Sequence, residues 1–96
     1  MMVVVTTDKR GVFAGNVADD VDGEWDGTSP VVLANARMCI YWLKETRGVT
    51  GLAAIGPQPG SRVGPPAPEL RLNGVTSVAK CSEAAAKVWE SEPWSA

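Results

Sequence analysis

The sequence predicts a mainly β fold of α+β type: a small bent antiparallel sheet or partly open barrel of about five to six strands with one C-terminal helix. Three observations carry this. β-Branched and alternating apolar runs recur along the chain, glycine and proline separate them, and only the stretch after Ser82 has helical spacing. Ninety-six residues make one domain, 1–96, with room for one modest core.

Met2–Thr7 is β-branched and reads as a first strand. Asp8-Lys9-Arg10-Gly11 is a turn, and Gly11–Ala18 reads as a second strand, so the two form a hairpin. Gly15 inside the second strand marks a bulge or sharp bend. Asp19–Pro30 is a polar loop. Val31–Asn35 reads as a third strand and Met38–Leu43 as a fourth, with Asn35-Ala36-Arg37 a bulge or tight corner between them. Both faces of Met38–Leu43 are apolar, so this strand is expected to be central and covered on two sides, by core or by a neighbouring subunit.

Glu45–Gly51 reads as a loop or short helical turn, and Leu52–Ile55 is too short to assign. Pro57, Pro59, Gly60, Gly64, Pro65, Pro66 and Pro68 exclude regular helix and shape a candidate binding loop. Leu70–Leu72 and Val75–Cys81 flank Asn73-Gly74, the preferred pair for a type I′ hairpin turn. Ser82 is an N-cap, Glu83 lies in the first helical turn, and Ala85, Val88 and Trp89 share a helix face.

Composition excludes several functions. There is no histidine, which removes histidine-based triads and most zinc sites. Two cysteines, Cys39 and Cys81, make neither a disulfide framework nor a four-cysteine metal site and are expected to be buried as small apolar residues. A net charge of −2 argues against a duplex nucleic-acid binder. No apolar run reaches the roughly 20 residues of a membrane span, and Met1–Val5 lacks the basic start of a signal peptide. A soluble cytoplasmic protein with no membrane partner is expected.

The near-neutral total hides a segregated charge pattern. The first 26 residues set Lys9 and Arg10 against Asp8, Asp19, Asp20, Asp22, Glu24 and Asp26. Residues 27–80 set Arg37, Lys44, Arg47, Arg62, Arg71 and Lys80 against Glu45 and Glu69, a basic centre.

The strings Arg10-Gly11-Val12-Phe13, Asn35-Ala36-Arg37-Met38-Cys39-Ile40-Tyr41-Trp42, Gly51-Leu52-Ala53-Ala54-Ile55-Gly56-Pro57 and Gly74-Val75-Thr76-Ser77-Val78, with a closing Trp89 to Trp94 tail, resemble a family of short tailed-phage and prophage accessory proteins of unassigned function. The resemblance implies action in the cytoplasm of a bacterial host. The strand order over residues 2–37 is also similar to SH3-like or Sm-like small barrels, a likeness of architecture alone.

The candidate chemistry lies in two places. Asp22, Glu24, Asp26 and Gly27 match the start of a calcium loop, but its closing position is Leu33, so no metal is expected. Trp25 in this acidic loop either anchors a partner or folds back over the core. The better site is the basic centre. Arg37, Arg47 and Arg62 offer planar forks for phosphates, and Tyr41 or Trp42 offers a stacking face, which suits a nucleotide-sized anion. The carboxylate pairs Asp19-Asp20 and Glu90/Glu92 lie in segments expected to be exposed, without the burial that separates acid and base roles. No nucleophile–base pair or phosphate-cradling glycine loop stands out, so no enzyme and no cofactor are expected. The expected activity is sequestration of a nucleotide second messenger of host immunity at a pocket between subunits of a homo-oligomer. The alternative is a protein-interaction module that grips a host or virion protein through Asp20, Asp22, Trp25 and Trp94. Replacing Arg37 is expected to leave stability little changed.

Overall fold

The computed structural model describes residues 1–8, 11–17, 27, 29–42 and 48–91. In chain order the elements are β1 (Met2–Thr7), β2 (Val12–Asn16), β3 (Val31–Tyr41), α1 (Gly48–Ala54), β4 (Arg62–Val63), β5 (Ala67–Leu72), β6 (Val75–Lys80) and α2 (Glu83–Ser91). The six strands form one antiparallel sheet of order β4-β3-β2-β1-β6, with β5 also paired to β3. β5 runs along Val31–Ala36 and β4 along Cys39–Tyr41.

Chain connectivity forces the sheet to bend. β5 and β6 lie at opposite ends of a five-strand path, roughly 19 Å apart if it were flat, at about 4.8 Å per strand. Yet Leu72 and Val75 are joined through only Asn73 and Gly74, a reach of at most about 11 Å. The sheet therefore curls until its edges approach. It is not closed into a barrel: among the described residues no ladder joins β5 to β6.

The curl places apolar side chains on two sides. Val3, Val5, Val17, Val31, Leu33, Ala36 and Leu72 fill the concave side, and Leu70, Val75 and Val78 from the two edges pack onto them. Met2, Val4, Val12, Ala14, Cys39 and Val63 face the other side, where Leu52 and Ala53 of α1 and Trp89 of α2 cover them. β1 thus supplies buried side chains to both clusters, with Val3, Val4 and Val5 at 0% exposure.

Four sequence expectations change here. The third and fourth strands are one strand, β3, and Asn35-Ala36-Arg37 holds the expected bulge within it rather than a break between two strands. The strand buried on both faces is β1: Met38, Ile40 and Tyr41 of β3 are exposed. Asn73-Gly74 is not a type I′ hairpin turn, because β5 and β6 do not pair and Asn73 lacks a positive φ. Gly74 (φ 65°) is instead a corner whose carbonyl accepts the Asp8 N–H at 2.8 Å, and a Cβ there would lie 2.6 Å from the Asp8 carboxylate. Finally, Gly48–Ala54 is a helix. Its two glycines and β-branched Val49 and Thr50 give it poor intrinsic propensity, and burial of Gly51, Leu52 and Ala53 holds it.

The C-terminal helix and the hairpin form as read. The Ser82 hydroxyl accepts the Ala85 N–H at 3.0 Å and donates to the Ala54 carbonyl at 2.7 Å, so one side chain caps α2 and ties it to α1. The Trp89 indole N–H donates to the Leu52 carbonyl at 3.0 Å, satisfying the polar atom of a fully buried ring.

Cys39 and Cys81 are free thiols beside the helical cluster. Burial pushes both up from the ordinary value near 9 to about 11. The fold thus favours the neutral thiol, and this contribution is complete below the unfolded value and disappears as pH rises through about 11. Urea midpoints should fall between pH 9 and pH 11, and a Cys39→Ala, Cys81→Ala double variant should fall less. An equal fall in both proteins would assign the effect to other groups.

Candidate functional site

The site grows from an irregularity in β3. Ala14 pairs with Arg37 and Asn16 with Ala34, so β3 carries one residue more than β2 over the same stretch. The extra residue is Asn35, in the left-handed region at φ 51°. Asparagine tolerates that conformation better than other non-glycine residues. Gly15 lies opposite: a Cβ on it would sit 2.8 Å from Leu33 Cβ and 3.2 Å from the Ala36 backbone, so only glycine lets the bulged strand approach.

The bulge reverses the alternation of β3. Leu33 and Ala36 both face the concave cluster, three residues apart. Arg37 is thereby turned to the helical side, where it is only 7% exposed. Its Nε donates to the Gly64 carbonyl at 3.0 Å and a terminal nitrogen to the Trp89 carbonyl at 2.6 Å. The second acceptor lies in the last turn of α2, where carbonyls lack helical partners and a cation is favoured.

Beside this guanidinium opens a cleft of about 420 Å³, lined by Met2, Ala14, Asn16, Asn35, Arg37, Pro66, Trp89 and Glu90. That volume suits a small ligand. The bulge sets two amides on it, the proline segment one wall, and α2 a carboxylate. The side chains of Asn16, Asn35 and Glu90 make no hydrogen bond or ion pair among the described residues. The cleft thus offers one acceptor-only carboxylate and two amides that both donate and accept, beside apolar walls and the positive charge of a guanidinium already bonded to Gly64 and Trp89.

Of the sequence-predicted ligand residues that are described, only Arg37 lines this cleft. Tyr41 is exposed and is the direct cross-strand partner of exposed Arg62. Trp42 is half-buried and packs against the helical cluster. Arg47, and the alternative set Asp20, Asp22, Trp25 and Trp94, lie outside the described residues, as do Asp19 and the calcium-like Glu24 and Asp26. Sequence reading did not assign Asn16, Asn35 or Glu90 to a binding site. Asn35 carried a signal, the bulge or corner assigned to Asn35-Ala36-Arg37, and Glu90 stood out as half of an exposed carboxylate pair with Glu92, while Asn16 read as an ordinary polar position.

A family model described as a domain of unknown function (DUF6948) matches residues 1–89. No curated protein and no solved structure matches the chain.

The burial of Arg37 corrects the expectation that replacing it is harmless. Arg37→Ala strips a charged donor from two buried carbonyls and should lower stability by about 3 kcal/mol, at roughly 1.5–3 kcal/mol per bond to a charged group. Arg37→Lys should recover only part, since an ammonium lacks the fork that reaches both acceptors. Urea denaturation checks this, and an unchanged midpoint for Arg37→Ala would remove Arg37 from the framework.

Proposed function

The chain belongs to the DUF6948 family, and we propose that it is a non-catalytic binding protein that holds a nucleotide-type ligand in the cleft beside Arg37. The observation that carries this is the convergence of three polar side chains, without partners among the described residues, on a cleft beside a buried guanidinium. The lining sets one carboxylate beside two amides that do not titrate and a guanidinium that keeps its charge, with no second acid–base group among the described lining residues, so the groups suit retention of a ligand more than its conversion. Arg37 brings positive charge toward a phosphate, and Met2, Pro66 and Trp89 offer apolar contact for a ring.

The resemblance to phage and prophage accessory proteins extends the proposal. In a bacterial cytoplasm such a protein serves as counter-defence by occupying a nucleotide immune signal. A homo-oligomer belongs to this reading, and the exposed Met38, Ile40 and Tyr41 of β3 support it as apolar surface available to a second copy. The exposed Tyr41–Arg62 pair offers an aromatic face and a cation near that surface.

Calorimetry of the full chain against cyclic oligonucleotides and cyclic ADP-ribose signals tests the ligand. Binding at micromolar levels or tighter is expected, and Asn35→Gly should weaken it by about tenfold, the worth of a hydrogen bond of roughly 1.4 kcal/mol. Glycine adopts φ 51° without strain, so this variant should melt no lower than the parent. Absence of binding across the panel would sink the ligand reading. An unchanged affinity in Asn35→Gly would take the Asn35 amide out of the site.

A further inference from the structure

We propose that the base recognised in the cleft is guanine, read by the carboxylate of Glu90; the inference rests on the cleft being a nucleotide site. Glu90 stands in the last turn of α2, where a negative charge opposes the helix dipole, and no basic residue of that turn offsets it. It is exposed, lines the cleft, and has no hydrogen bond or ion pair among the described residues. Asn35, on the same cleft, holds a left-handed backbone that a side-chain-bearing residue adopts at a cost. Two local rules are thus broken within one cleft, and each break puts an unpartnered polar group on its lining, the pattern expected of a binding site rather than of a framework.

The chemistry of these groups selects the ligand edge. An ionised carboxylate only accepts hydrogen bonds. Guanine presents two adjacent donors, N1–H and the N2 amino group, which match the two oxygens of one carboxylate. Adenine presents its N6 amino group beside N1, an acceptor that repels the carboxylate. Uracil flanks its single N–H with two carbonyls. Guanine also carries O6 and N7 acceptors, which suit the donor side of the Asn16 and Asn35 amides, and its phosphate is favoured by the nearby positive charge of Arg37. Donors toward Glu90 and acceptors toward the two amides are the polarity that the cleft requires.

The test is calorimetry of the full chain with cyclic di-GMP and cyclic di-AMP, and with GMP and AMP, on the parent and on Glu90→Gln. The guanine member of each pair should bind roughly five- to a hundredfold tighter, the discrimination of a bidentate base contact. Glu90→Gln should erase this preference by weakening the guanine ligands while leaving the adenine ligands about unchanged. Its urea midpoint should equal or exceed the parent value, which separates lost recognition from lost folding. Equal or tighter binding of adenine ligands would overturn the guanine assignment and leave the nucleotide site standing. A guanine preference that survives Glu90→Gln would overturn the role of Glu90. Failure of all four ligands, with the wider signal panel also silent, would remove the nucleotide site and this inference with it.

Discussion

At Asn35 the backbone of β3 passes through φ 51° and takes one residue more than β2 uses over the same stretch. Most of the surrounding geometry depends on that step. Without it, the residues two and four beyond Leu33 would face the concave cluster, and Arg37 would point into it. With it, Ala36 takes the concave place and the guanidinium passes to the helical side. The facing Gly15 makes the close approach possible, since a Cβ there would press on Leu33 and on the β3 backbone. A positive-φ asparagine and a glycine on the partner strand form one device, and replacing either acts on both strands.

Arg37 then joins three parts of the chain that do not pair through β ladders alone. One nitrogen meets the Gly64 carbonyl after β4, and another meets the Trp89 carbonyl in α2. The Trp89 indole reaches Leu52 in α1, while Ser82 holds the start of α2 against Ala54. Both ends of α2 are therefore tied, its start by a neutral hydroxyl and its end by a buried cation. A buried guanidinium is costly to desolvate, and its bonds to the Gly64 carbonyl and to the helix-end Trp89 carbonyl offset that cost. Such a cation is a structural member of the fold.

Local signals in the sequence expressed much of the fold. The β-branched run of β1, the Gly15 irregularity, the corner at Asn35 and the Ser82 cap are all short-range features, and each appears where it was read. What stayed hidden depends on distant partners. α1 is helical because Leu52 and Ala53 are buried beneath Trp89, not because its residues favour helix. Asn73-Gly74 carries a hairpin signal, but β6 finds β1 and Gly74 meets Asp8. Met38 and Ile40 look like core by composition and are exposed by position. The site was half visible for the same reason: Arg37 stood out as a charge, while Asn16 and Glu90 gain significance only when a bulge and a helix end are brought together.

The costs concentrated at the cleft are small beside the burial that supports it. A left-handed asparagine costs about 1 kcal/mol or somewhat more, and a carboxylate at a helix C-terminus about 0.3–1 kcal/mol. Each fully buried valine or leucine contributes roughly 1.5–3 kcal/mol, and Val3, Val4, Val5, Leu33, Leu52 and Val63 are all fully buried. β1 supplies three of these to the two clusters, so the strand beneath the cleft is the best anchored in the sheet. The arrangement is therefore asymmetric by construction. Strain and an unpaired charge sit on the cleft lining, while the stabilising packing lies behind and beside it. A ligand whose donors face Glu90 and whose acceptors face the Asn16 and Asn35 amides would meet side chains that have no partner among the described residues, and the preorganised bulge means that little backbone order would have to be gained on binding.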